Sequence, residues 1–311
     1  MGSLGNPESQ PGERSDAPDL PTLVAFVNAQ HGTTFRITDR YLGGEQGAVG
    51  LADANSVRFV LKWSPGLQDL GRLPEVIRIV ARLRSRWYPV PRYVVRGLHP
   101  AGRYVVQAAL PGAPLKRLSP SLVEQLVELN DRQQGAALAP DDAWPAHVIR
   151  DVLDGGPGYC LLDPMRRHGP TTARLLGVVQ ELAARYQDVT MPTTDVVHFD
   201  FQPSNILAQP EKISGVVDWD GVCFGDRAFD LATLLFYAYD QEPARESLWQ
   251  RALAITDPAA IAVYLAHLIH RQVDWSIRRH PPETVERWLA CAKAVLQELP
   301  ARTGCHVPPW P

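Results

Sequence analysis

The sequence predicts an α+β protein of two lobes: an antiparallel five-stranded sheet carrying one helix, then a mostly helical second half. Three observations predict it. Before about residue 110, apolar side chains alternate with polar ones, as in TFRITDRYL and SVRFVLKW, the period of a half-buried strand. After about residue 118 they recur with the 3.6-residue period of helices. The chain has 311 residues, about twice the usual domain, and the two patterns meet at a Pro-Gly break in residues 110–115.

Each element follows in order. Residues 1–19 are rich in Pro, Gly, Ser and acids with hardly a large apolar side chain, so a disordered leader is expected there. Residues 20–30 (LPTLVAFVNAQ) have helical spacing. Residues 34–42 alternate, GGEQGAVGLA follows, and residues 56–63 alternate again after the turn DAN, which reads as three antiparallel strands. Residues 74–87 form an amphipathic helix with Pro74 in its first turn, and PVP at 89–91 ends it. Strands are expected near 92–97 and 103–110, completing an N-terminal lobe over 20–110. In the C-terminal lobe, 111–311, helices are expected at about 121–134, 144–153, 171–187, 228–239, 246–254, 258–277 and 282–299. Short β pieces fall at 195–198 and 213–218.

Composition excludes several classes. Apolar residues make up 45% and charged residues 21%, ordinary for a globular protein. No apolar run reaches the roughly 18 residues of a membrane span, and the first residues lack the basic and apolar regions of a secretory signal. Cys160, Cys223, Cys291 and Cys305 form no CxxC, and the nine histidines include no HExxH. Neither a zinc site nor a disulfide framework is expected, and a reducing cytoplasm is. With a net charge of -3, neither nucleic acid nor membrane is expected as a partner.

That net charge hides an asymmetry. Residues 1–117 carry 15 Lys and Arg against 9 Asp and Glu, and residues 118–311 carry 16 against 25. A basic front half suits an anionic ligand and an acidic back half a cation, unless the charge is simply solvated surface. Lysine occurs only at 62, 116, 212 and 293, so each one is informative.

The chemistry concentrates in VVHFDFQPSNILA, residues 196–208, which spaces His198, Asp200 and Asn205 as HxDxxxxN. A carboxylate and a carboxamide on one loop can face one site, the first taking a hydroxyl proton and the second ligating a hard cation. GVVDWD then delivers Asp218, a second oxygen ligand. In the first lobe, GGEQGAVG places Gly44 and Gly47 between two strands, where backbone N–H groups can approach phosphate; a plain hairpin is the other reading. Lys62 lies in the apolar strand RFVLKW, where a lone ammonium is costly. Glu75, early in the next helix, is the expected partner, unless it only complements the helix dipole.

HFDFQPSN followed by VVDWDGVCFGDRAFDLA resembles the aminoglycoside phosphotransferase family, whose pattern is HGDxxxxN, then IDW, then GDPxxDLA. The resemblance implies a protein-kinase-like fold and phosphoryl transfer from ATP or GTP with Mg²⁺. It implies Asp200 as catalytic base, Asn205 and Asp218 as magnesium ligands, and His198 as a brace of the loop. Asp226 and Asp230 would order the loop, Lys62 and Glu75 would form the kinase Lys–Glu pair, and main-chain atoms of Ala108 and Leu110 would meet the nucleobase with Gln107 behind it. Phe199 stands where the family often has Gly, and Asn130 where it often has His.

A small-molecule kinase acting on an antibiotic is therefore expected, with a metabolic kinase for choline, an amino alcohol or a sugar, a protein kinase, or a non-catalytic nucleotide-binding scaffold as alternatives. The acceptor region, about 135–170 and 240–290, offers the acids Asp141, Asp142, Asp151, Asp154, Asp240, Glu242 and Asp274 to a cationic acceptor. It also offers Trp144, Tyr159, Tyr264, Trp275 and Trp288, which at helical spacing read first as core.

Overall fold

The computed structural model describes residues 19–40, 48–67 and 69–310. The leader, apart from Asp19, and the turn carrying Gly44 and Gly47 lie outside the described residues. Asp19 belongs to the first helix: its carboxylate accepts from the Thr22 amide at 2.7 Å, capping α1 (Leu20–His31), which ends at Gly32 with φ 62°.

The five expected strands form one antiparallel sheet, β1 (Arg36–Arg40), β2 (Ala48–Ala52), β3 (Arg58–Pro65), β4 (Tyr93–His99) and β5 (Gly102–Ala108), in the order β1-β2-β3-β5-β4. The central β3 places Lys62 opposite Ala48 and Val105. The helix α2 (Leu73–Ser85) lies between β3 and β4 in the chain. The second lobe begins with β6 (Ala113–Pro114), α3 (Pro120–Gln133), α4 (Trp144–Leu153), α5 (Leu162–His168) and α6 (Pro170–Arg185). Next come β7 (Asp195–Val197), β8 (Ile206–Gln209), β9 (Lys212–Val216) and β10 (Cys223–Gly225). Helices α7 (Ala228–Tyr237), α8 (Glu242–Leu253), α9 (Pro258–Arg279) and α10 (Pro282–Thr303) close the lobe. This is the expected two-lobed α+β architecture. The unexpected pieces, α5, β6, β8 and β10, are each seven residues or fewer, too short to repeat a hydrophobic period.

Two apolar cores do not follow the lobes. Leu23, Val27, Leu51, Leu61 and Val106 form a small one between α1 and the sheet. The larger spans the helical lobe, yet it includes Val76, Ile79, Val80 and Leu83 of α2, with Tyr88 packed edge-on against Trp219 at 5.6 Å. Among the described residues, no helix is long and apolar enough to cross a membrane.

Helix α9 is buried almost all round, and two histidines go with it. His267 and His270 are fully buried, and neither Nδ1 has a partner among the described residues. Burial depresses both imidazoles, His270 to about 4 from the ordinary 6.5. A depressed histidine stabilises the fold above pH 6.5, and that stability is lost as pH falls toward 4. Asp226, raised by burial to about 6, works the other way between its unfolded and folded values. From pH 7 to 5 the His270 contribution alone is about 2 kcal/mol. Calorimetry should show Tm falling several degrees further over that interval in the native chain than in His270→Leu; equal falls would remove His270 as the cause.

Candidate active site

Strand β7 leads into the loop 198–205, which β8 leaves. His198 is fully buried against Trp219, ring centroids 4.4 Å apart. Its Nε2 donates to the Val217 carbonyl at 2.9 Å, which leaves Nδ1 to accept from the Asp200 amide at 3.3 Å. Asp230 holds the same loop from below: its carboxylate accepts from the amides of His198 (2.8 Å) and Phe199 (3.1 Å) and from Gln133 Nε2 (2.6 Å). Burial pushes the Asp230 carboxyl up, against the pull of His198 and these donors. Asp226 accepts from Thr256, Tyr264 and the Ala228 amide, tying α7 to α9.

Phe199 sits in the left-handed region at φ 71°, a conformation suited to glycine and costing an L-residue about 1 kcal/mol or more. Its ring does not crowd the loop. It turns into the core, stacked on Phe229 at 5.1 Å and 5°, with the Arg271 guanidinium 5.2 Å over it. Those contacts offset the strain.

The carboxylate of Asp200 is gripped on both oxygens. Arg271 Nη2 donates to Oδ1 at 2.6 Å, while Asn205 Nδ2 and Gln202 Nε2 donate to Oδ2 at 2.8 and 3.0 Å. Arg271 Nη1 also takes the Phe199 carbonyl at 2.6 Å. Since the Asn205 nitrogen is spent on Asp200, its carbonyl oxygen is the atom left for a cation.

Asp218 follows β9 in a left-handed conformation, φ 66°, which brings it beside Lys62. Lys62 Nζ donates to Asp218 at 2.6 Å and to Asp220 at 3.1 Å, joining the first lobe to the second. Burial opposes its charge, but Asp220 and Asp218 outweigh it and hold the ammonium above its ordinary value. The expected Lys62–Glu75 pair is not made. Glu75 accepts from Arg72 at 3.2 Å, one helical turn away, and Arg72 Nη2 reaches the Val222 carbonyl at 2.8 Å. The physical reason is that the 218–220 turn already presents two carboxylates to the ammonium. At the end of β5, the Ala108 amide donates to the Arg92 carbonyl at 2.8 Å, and Gln107 is buried. The Leu110 amide has no acceptor among the described residues.

The structure thus gathers Lys62, Asp200, Asn205 and Asp218 in the cleft and leaves Glu75 at its side. Asp220, Gln202 and Arg271 are additions. The first two stand inside the motifs, whereas Arg271 is 71 residues beyond Asp200 in a long helix with no local signal. Among the described residues no three His, Cys, Asp or Glu side chains form a metal cage. An oxygen pair such as Asn205 and Asp218 fits magnesium, which keeps few protein ligands and takes the rest from phosphate and water.

The model of the phosphotransferase enzyme family matches residues 43–264. No curated protein matches the sequence significantly. Among solved structures, a thermostable mutant of aminoglycoside phosphotransferase APH(4)-Ia in its apo form superposes with a TM-score of 0.71 at 16% identity, over 90% of this chain and 99% of that one. An aminoglycoside phosphotransferase from Alicyclobacillus acidocaldarius superposes at 0.59 and 16%, over 94% and 97%. A macrolide 2'-phosphotransferase type I superposes at 0.58 and 18%, over 87% and 95%. At these identities the likeness shows the two-lobed kinase-like fold.

Proposed function

The chain belongs to the phosphotransferase enzyme family, and from that premise we propose that it moves the γ-phosphoryl of ATP or GTP to a hydroxyl of a small molecule, an antibiotic above all. The observation that carries this is the convergence of Asp200, Asn205 and Asp218 on one cleft wall, with Lys62 from the opposite lobe 2.6 Å from Asp218. An APH(4)-Ia variant has been solved in a ternary complex with ADP and hygromycin B, 16% identical over 88% of this chain and with a TM-score of 0.69.

In the reaction, the acceptor O–H bond breaks as its oxygen bonds to the γ-phosphorus. The bond from that phosphorus to the bridging oxygen breaks, and the nucleoside diphosphate leaves with the bonding pair. The proton passes to the Asp200 carboxylate, which Arg271, Asn205 and Gln202 hold in one orientation. Lys62 exchanges Asp218 for phosphate oxygens, and the Ala108 carbonyl and Leu110 amide take the edge of the base. Asn205 and Asp218 would hold magnesium, which neutralises charge developing on the phosphates. The reading places the protein in the cytoplasm, where its four free cysteines stay reduced.

The test is incubation with γ-labelled ATP or GTP, magnesium and a panel of hydroxylated antibiotics. Magnesium-dependent label transfer is the expected result. Tight nucleotide binding with neither transfer nor hydrolysis would make the protein a scaffold.

A further inference from the structure

Resting on that reading, we propose that the acceptor is uncharged around its reacting hydroxyl, a neutral polyol or glycoside, and that polycationic aminoglycosides are excluded. The argument starts at Arg271. Both oxygens of Asp200 are engaged, so an acceptor hydroxyl can reach the carboxylate only beside the guanidinium that holds Oδ1 at 2.6 Å. Asp200 and Arg271 together are formally neutral. Among the described residues, no second carboxylate contacts either of them.

An ammonium group brought here would therefore meet a guanidinium and no free acid. A desolvated cation needs a carboxylate of its own, and like charge at close range excludes it. Three of the seven acids that the sequence offers to a cation are committed to side-chain partners elsewhere. Asp274 is fully buried and accepts from Arg278 and the Leu161 amide. Asp151 is buried between His267 and His147, at 3.3 and 3.6 Å. Glu242 is paired with Arg245, and Asp141 with the Ala143 amide. Asp154 and Arg150 both line the crevice next to His147. Beside Asp200 stands an aromatic ring instead: Tyr159, half-buried, lies 6.0 Å from the Arg271 guanidinium and backs onto the buried Phe199. Rings and a shared guanidinium suit the faces and hydroxyls of an uncharged sugar.

The experiment uses matched pairs, hygromycin B and kanamycin each against its fully N-acetylated form, together with neutral nucleosides and glycosides. Each is given to the full chain with saturating magnesium and labelled ATP. The expected result is kcat/KM at least tenfold higher for uncharged members, with the two free aminoglycosides the poorest acceptors. Arg271→Gln lowers the absolute rate, because it loosens Asp200, so the ratio within each pair is read; it should shift toward the free amine. A free amine preferred over its acetylated form by the native chain overturns the inference while leaving phosphotransfer intact. Phosphorylation of nothing, together with no magnesium-dependent ATP hydrolysis, removes the phosphotransfer reading and this inference with it.

Discussion

Replacing Asp200 with Asn is expected to lower kcat by about 10²–10⁴-fold, while Kd for magnesium-ATP changes by less than about twofold. The asymmetry follows from position: Asp200 faces the acceptor, and its carboxylate accepts from Arg271, Gln202 and the Asn205 nitrogen, which leaves the Asn205 oxygen, Lys62 and Asp218 to the nucleotide side. Asn is preferred to Ala because Arg271 is largely buried: Asn keeps an oxygen for the guanidinium to donate to, whereas Ala strands it at a cost of about 3 kcal/mol or more. Single-turnover phosphotransfer and nucleotide titration check both halves. Near-normal turnover in a folded Asp200→Asn protein would remove Asp200 from the chemistry.

Asp218→Ala should fail differently. Nucleotide affinity in magnesium should drop by about 100-fold or more along with turnover, since the site loses a hard anionic ligand facing the phosphates. Lys62 keeps Asp220 at 3.1 Å, so the ammonium is not stranded and Tm should change little. Titration of ATP with and without magnesium separates the outcomes. If Asp218→Ala binds magnesium-ATP like Asp200→Asn, the division of roles between the two carboxylates is wrong.

The parts of this site that were legible from sequence are the parts held by local spacing. His198, Asp200 and Asn205 share one loop, and Asp218 ends the next hairpin, so a motif of a few residues contains their geometry. Lys62 was legible for another reason: an ammonium in an apolar strand requires an anion. Its partner was misread because first-turn Glu75 is near in sequence, whereas Asp218 and Asp220 come from 156 and 158 residues away. Arg271 was invisible for the same reason, since α9 approaches the catalytic loop only through tertiary packing. Likewise the place of Phe199 could not be read from sequence, because nothing local tells that its ring has Phe229 and Arg271 to lie between. Long elements such as α9 and α10 were legible from their period; the four-residue β8, which leaves the loop, and the three-residue β10 were too short to repeat one.

The helix α2 carries a consequence for control. In kinases whose corresponding helix swings, that swing is a switch, and it works because little apolar surface is uncovered. Here Val76, Ile79, Val80 and Leu83 are rooted in the core of the other lobe, and Arg72 is latched to the Val222 carbonyl. Withdrawing four buried aliphatic side chains costs about 6 kcal/mol or more, which leaves fewer than about one molecule in 10⁴ with the helix displaced. A catalyst built this way has no idle posture. Turnover is then expected to follow the amounts of enzyme and acceptor, not a displacement of α2.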